Sequence, residues 1–326
     1  MTALSSEAHP AGNGHSANGN GYHNGYTNGS TPVAVATAAP TTSAPFANDA
    51  FTHLTLYTGN TMRTGTTGQL NTSLKKSNQE LVSAVQDSLL YSVNTARIKG
   101  GAITITDETS LGPLEGDRSL YEITVKMFYL SEPESGKSLD VGLLSTAIAE
   151  LEAALGIADI KLDHFILSLP HQSFDENGLD DAEVEAFKTE VETAVLPVWK
   201  KLSELRQSGR IGRVGVAEFS KQQLEVLKEA ALAAGAVAPE VNQVNLQDCC
   251  VLPKDLINYS KDQGIELLTH GDSTEILPKT TFSSLLQPHL PKAASTLTPN
   301  FVLKYSAFIT CRGLITKKGY IVDASA

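Results

Sequence analysis

The chain has 326 residues, of which 36 are acidic and 25 basic, giving a net charge of −11 at neutral pH. A surface with that balance repels phosphate backbones, which excludes nucleic acid as the natural partner. Three cysteines in so long a chain, two of them adjacent at Cys249 and Cys250, exclude a disulfide framework and point to a reducing, cytoplasmic compartment.

Residues 1–50 hold no Lys or Arg, only two acids (Glu7 and Asp49), and repeated Gly, Asn, Ser, Thr, Pro and Ala. Such a segment buries too little apolar surface to offset its chain entropy, so a disordered tail is expected over 1–50 and a folded domain over 51–326. The tail lacks the arginines of a mitochondrial transit peptide, and its longest apolar run, Val33 to Ala36, is too short for a signal-peptide core. Its histidines, His9, His15 and His23, are too widely spaced for a metal site. No stretch of the chain reaches membrane-spanning length.

The first strand is His53 to Tyr57, and Ser77 with Glu80 reads as a capping box for a helix that turns Leu81, Val85 and Leu89 inward. Ile103 to Thr106 is a second strand and Tyr121 to Leu130 a third, followed by a helix with Val141, Leu144, Ile148, Leu151 and Leu155 on one stripe and Gly156 as its stop. Leu162 to Leu169 is a fourth strand, and Pro197 opens a helix carrying Val198, Leu202 and Leu205. Ile211 to Ala217 and Val241 to Leu246 flank a helix with a Ser220/Gln223 capping box and a Gly235 stop, a βαβ unit that supplies strands five and six. Pro253 opens a helix ending at Gly264, Ile265 to Thr269 is the seventh strand, Pro299 to Cys311 reads as a helix, and Leu314 to Val322 holds the eighth strand.

Eight strands interleaved with helices predict an α/β protein of the (β/α)₈ type. Two departures are expected. The Gly-, Pro- and charge-rich stretch between strands two and three is too short for a normal crossover, so the second helix is reduced. The chain also stops at Ala326 without room for a full helix after strand eight, which leaves part of the outer ring open as a candidate partner surface.

Polar and reactive groups gather after strand six, at the carboxyl edge where such folds place their sites. Cys249 and Cys250 point opposite ways on an extended backbone, one toward the core and one toward the surface. Lys126, inside the apolar run Ile123 to Leu130, either points into the barrel mouth or snorkels to solvent. Gly136-Lys-Ser138 lies between a strand and a helix, but Glu132 and Glu134 in the same loop would repel phosphate, so a turn and helix start is the reading. Gly209, Gly212 and Gly215 enter a strand instead of leaving one, which defeats a dinucleotide fingerprint.

Several segments resemble the aldo-keto reductases: Gly215-Val-Ala-Glu-Phe219, Val241-Asn-Gln-Val244, Leu303-Lys-Tyr305 and Arg312-Gly313. Within that fold, Asn242 through Pro253, Leu267-Leu-Thr-His270 and Tyr305 through Ile321 resemble the regulatory (modifier) subunits of glutamate–cysteine ligase more closely. Together with Val125-Lys-Met-Phe128 this resemblance covers most of residues 120–322. It implies an aldo-keto-reductase-type barrel without catalysis of its own or a resident cofactor. It also implies a heterodimer with the glutamate–cysteine ligase catalytic subunit, in which glutamate affinity is improved and glutathione inhibition relieved.

The reductase chemistry uses an Asp, Tyr, Lys and His set. Lys126 stands at the lysine position, Ser168 at that of the histidine (with His171 just beyond Pro170), and Asp107 is followed five residues on by Gly112 instead of Tyr. Ala217-Glu218 and His270 stand where a nicotinamide would be held and stacked, while Gln243 and Arg312 are the remaining cofactor-contact candidates. Lys317 and Lys318 read with Arg312 as a solvated basic face. Cys249, Cys250, His270 and Asp272 are the candidates for partner contact. An NADPH-dependent carbonyl reductase with Lys126 is the alternative function.

Overall fold

The computed structural model describes residues 46, 48–62, 77–107, 112–134, 136–175, 178–245 and 252–326. The chain divides into two units, Met1–Thr41 and Thr42–Ala326, and all described residues belong to the second. Phe46 packs edge-on against Phe51 at 6.2 Å between ring centroids.

Among the described residues ten strands form one sheet: β1 (His53–Tyr57), β2 (Arg97–Lys99), β3 (Ala102–Thr106), β4 (Tyr121–Tyr129), β5 (Leu162–Ser168), β6 (Ile211–Ala217), β7 (Val241–Asn245), β8 (Glu266–His270), β9 (Thr298–Ile309) and β10 (Leu314–Ser325). Their order is β2-β3-β1-β10-β9-β4-β5-β6-β7-β8. From β4 to β8 neighbouring strands are parallel, as crossover helices require. β9 and β10 form a long antiparallel hairpin between β4 and β1.

The helices are α1 (Ser77–Ser92), α2 (Val141–Leu155), α3 (Asp181–Glu190), α4 (Leu196–Gln207), α5 (Lys221–Ala233), α6 (Lys254–Gln263), α7 (Lys279–Leu286) and α8 (Pro291–Thr296). Side chains alternate across the strands, so two apolar layers form. Ile123, Val125 and Met127 of β4 and Phe301, Leu303 and Tyr305 of β9 pack with the buried stripes of α2 to α6. Phe128, Val302 and Val322 belong to the second layer, with Leu81, Val85 and Leu89 of α1 and with α7 and α8. Burying each such Leu contributes roughly 1.5–3 kcal/mol.

Several local signals act as expected. The Ser220/Gln223 box is formed in both directions at α5. Gly156, Gly235 and Gly264 all follow helices at positive φ. The Gly136–Ser138 stretch is a turn, in which Lys137 pairs with Glu134 at 2.5 Å, and Asp140 caps α2. Between β3 and β4 the described residues contain only a 3₁₀ turn, Arg118–Leu120.

Other expectations are corrected. The segment read as a helix from Pro299 is strand β9, because Phe301, Leu303, Tyr305 and Ala307 alternate toward one face and both edges of the strand are paired. Eight parallel strands are therefore not what the described residues form. They show five parallel strands continued by a mixed half, and β2 and β8 end the strand order without pairing to each other. Glu80 accepts from Lys318 Nζ at 2.8 Å and from the Tyr320 hydroxyl at 3.1 Å, while the Ser77 side chain expected to share a capping box with it lies outside what is described. The basic group near the carboxyl terminus is no single solvated face either. Lys317 is buried and donates to the carbonyls of Gly112 and, at 2.8 Å, Ala154, where it caps the end of α2.

Candidate functional site

Lys126 and Lys304 face each other directly across β4 and β9, on the face opposite the Ile123–Val125–Met127 layer. Like charges in that register repel. Asp272, two residues past the end of β8, answers both: its Oδ2 accepts from Lys126 Nζ at 3.0 Å and its Oδ1 from Lys304 Nζ at 2.6 Å. The Lys126 and Asp272 side chains are 4% and 2% exposed, so the pair is withdrawn from water, while Lys304 keeps 22%. Lys126 also lies over the Phe128 ring at 4.9 Å. Its ammonium thus points into the interior and does not snorkel.

His270, at the end of β8, completes the cluster. The Asp272 backbone N–H donates to His270 Nδ1 at 3.0 Å, which makes Nδ1 the acceptor and leaves the ring proton on Nε2. From there it points at Glu218 Oε1, 2.6 Å away. Glu218 Oε2 accepts from the backbone N–H groups of Phe174 at 3.2 Å and Asn245 at 3.3 Å. Asn245 Nδ2 in turn donates to the Asp272 carbonyl at 2.7 Å. Glu218 reaches this position with φ +67°, a conformation costly for a residue with a Cβ, and the surrounding bonds hold it there. The network ties together the ends of β4, β6, β7, β8 and β9.

Burial would raise the Asp272 carboxyl, but the two lysines outweigh it and hold the group far below the usual carboxylate range. Burial pulls Lys126 the other way, toward losing its proton, against Asp272 and Glu218. The ion-paired form is the one the geometry fits, since a neutral Lys126 would leave a buried carboxylate with one cation instead of two.

Of the sequence candidates, the structure brings Lys126, His270 and Asp272 together. Gln243 lies on the same face of β7, with its Oε1 buried and without a hydrogen-bond partner among the described residues. Arg312 is exposed in the β9–β10 turn, beyond Ile309 and so beside the start of β4, at the opposite end of the strands from Asp272. Cys249 and Cys250 lie outside the described residues. Ser168 is buried at the end of β5, while His171 sits on the following loop at φ +53° and pairs with Glu275 at 3.5 Å. Lys304 was missed because its segment was read as a helix; the alternation of β9 is the signal that places it on the face of Lys126. Glu218 was legible only as a mismatch to the reductase pattern.

Residues 135–272 match the model of the aldo/keto reductase family, a stretch that runs from the loop before α2 to Asp272. A protein of Schizosaccharomyces pombe, provisionally named a glutamate–cysteine ligase regulatory subunit, is 28% identical over 288 residues, covering 84% of this chain and 96% of its own. The glutamate–cysteine ligase regulatory subunit of Mus musculus is 31% identical over 212 residues, 64% of this chain and 68% of that one. The Homo sapiens protein of the same name is 41% identical over 129 residues, 39% of this chain and 46% of that one. The chain is therefore an aldo-keto-reductase-like α/β protein. More narrowly, it belongs to the family of glutamate–cysteine ligase regulatory subunits.

Proposed function

We propose that this chain is a non-catalytic regulatory subunit that forms a cytoplasmic heterodimer with a glutamate–cysteine ligase catalytic subunit, improves its glutamate affinity and relieves its inhibition by glutathione. The observation that carries this reading is similarity to regulatory subunits that extends, in one relative, over 96% of that protein's length. Regulation of this kind requires the chain to bind one conformation of the catalytic subunit more tightly than another.

The geometry supports the same reading. Glu218 and His270, at the positions where the resemblance expects a nicotinamide to be held and stacked, are bonded to each other at 2.6 Å. Lys126, at the reductase lysine position, is engaged by Asp272. The reading proposes that these groups serve as an internal clamp that shapes the carboxyl-edge loops for the partner. The His270 and Asp272 side chains are withdrawn from solvent, so in this view they act on the partner through the segment they anchor, which includes the exposed Glu275. Cys249 and Cys250 remain proposed as partner contacts, and a closed (β/α)₈ barrel remains the proposed parent architecture.

Sedimentation velocity of an equimolar mixture with the catalytic subunit tests the pairing. A single faster boundary is expected, and two unchanged boundaries at micromolar concentration would contradict it. The carbonyl-reductase alternative rests on Lys126 and makes a separate prediction. NADPH should bind the unmodified chain at least about tenfold more weakly than an Ala217→Ser/Glu218→Asn variant, in which the carboxylate no longer holds His270. Calorimetry is the readout, because Trp199 is fully buried on α4 and a poor reporter. Equal, tight binding by both chains would favour the reductase.

A further inference from the structure

The parallel half of the sheet ends at β8, and that end is unprotected. The Glu266 N–H bonds to the Glu240 carbonyl on the β7 side, so in the parallel ladder Leu268 and His270 also turn their backbone groups to β7. Leu267 and Thr269 turn theirs to the outer edge, where their N–H and C=O groups meet no partner among the described residues. The other end of the sheet is blunted: β2 is only Arg97, Ile98 and Lys99, and short, charged strands resist further pairing. β8 is longer and holds no proline, lysine or bulge. Its two charged members are bonded back to the β6 side, Glu266 to Arg213 and His270 to Glu218 at 2.6 Å.

The helix that backs β8 has the same open side. Leu256 and Ser260 of α6 are buried, while Tyr259 and Gln263 lie toward α5, where Gln263 accepts from Lys228 Nζ. At 3.6 residues per turn, the opposite flank is the stripe Lys254, Ile257 and Lys261. All three are exposed, Ile257 by 40%, and neither lysine is in an ion pair among the described residues. The stripe overlooks the outer edge of β8 on the side of the exposed Thr269, whose register partner Val244 faces the α6 layer.

Two cations flanking an apolar residue, on a chain of net charge −11, select an acidic occupant. They also disfavour a second copy. Two-fold pairing of β8 edges would set the α6 helices side by side and antiparallel, with Lys254 of each opposite Lys261 of the other. We propose that the outer edge of β8 takes an extended, acidic segment of a partner protein as an added strand, bonded to the backbone of Leu267 and Thr269. Its acids lie on the α6 side, against Lys254 and Lys261, and its alternate apolar side chains lie beside the half-buried Leu268. The proposal does not rest on the regulatory reading.

Fluorescence polarisation of the full chain with the labelled peptide Glu-Val-Glu-Val-Glu-Val-Glu tests it. That peptide should saturate one site by about 1 mM and bind about tenfold or more tighter than Lys-Val-Lys-Val-Lys-Val-Lys. Hydrogen exchange at the Leu267 and Thr269 amides should slow in the complex. Thr269→Pro removes an N–H that β7 does not use, so it should keep the fold and weaken binding about tenfold. Lys254→Glu/Lys261→Glu, at two exposed positions, should weaken it about tenfold as well, and decides alone if the proline variant's melting curve differs from the parent's. The proposal is overturned if the acidic peptide does not saturate by about 1 mM, if the lysine peptide binds as tightly, or if both variants bind like the parent. A dimer of the chain alone in sedimentation velocity, abolished by Thr269→Pro, would give the edge to a second copy and overturn it too.

Discussion

Asp272 holds two lysines that the strand register would otherwise set against each other. Removing its charge leaves Lys126 buried without an ion-pair partner in contact. Asp272→Asn should therefore lower the unfolding free energy by about 3–5 kcal/mol, measured by urea denaturation. Adding Lys126→Met should restore part of that loss, with a coupling of about 1–3 kcal/mol; additive losses would show that the two side chains do not interact. The pH dependence has a definite sign. In the unfolded chain the carboxyl titrates near about 3.9, whereas the folded value lies far below the carboxylate range. The stability Asp272 contributes is fully present above the unfolded value and drains away as pH falls toward the folded one. Between about pH 4 and pH 2 the Asn variant should lack up to about 1.4 kcal/mol per pH unit of the parent's slope. Parallel stability curves would remove Asp272 from this role. Lys126 was legible in the sequence as a charge inside an apolar run, and Asp272 by its place past a strand end. The bond that makes them a site depends on Lys304, which only the register reveals.

At the scale of elements, the parallel core from β4 to β8 could be read from caps, stops and apolar runs because each of its crossover helices carries its own local signals. The β9–β10 hairpin could not be read from its neighbours. Its alternation is present, but likeness to a terminal helix competed with it, and what decides is pairing to β4, more than 170 residues earlier in the chain. The same dependence on distant partners hid β2, α7 and α8. Close packing between β6 and β7 gives a test of the parallel core. A Cβ on Gly215 would meet the Val241 carbonyl oxygen and, at 2.6 Å, the Val241 Cβ. Gly215→Ala should cost about 1–3 kcal/mol in thermal or urea unfolding, and a neutral outcome would mean that these strands are further apart than described.

For the whole molecule, the clamp at the carboxyl edge and the family relationship point the same way. A scaffold in which Lys126 is bonded to Asp272 and His270 to Glu218 is suited to presenting a shaped surface. Fold by itself does not distinguish an enzyme from a regulator. The functional assignment therefore rests on what the chain does to another protein. The most direct measurement is the initial rate of γ-glutamylcysteine formation by the separately purified catalytic subunit, titrated with glutamate at fixed glutathione, with and without this chain. The account predicts a lower apparent Michaelis constant for glutamate and a higher glutathione concentration for half-inhibition when the chain is present. Superimposable curves with the folded chain in excess would contradict it.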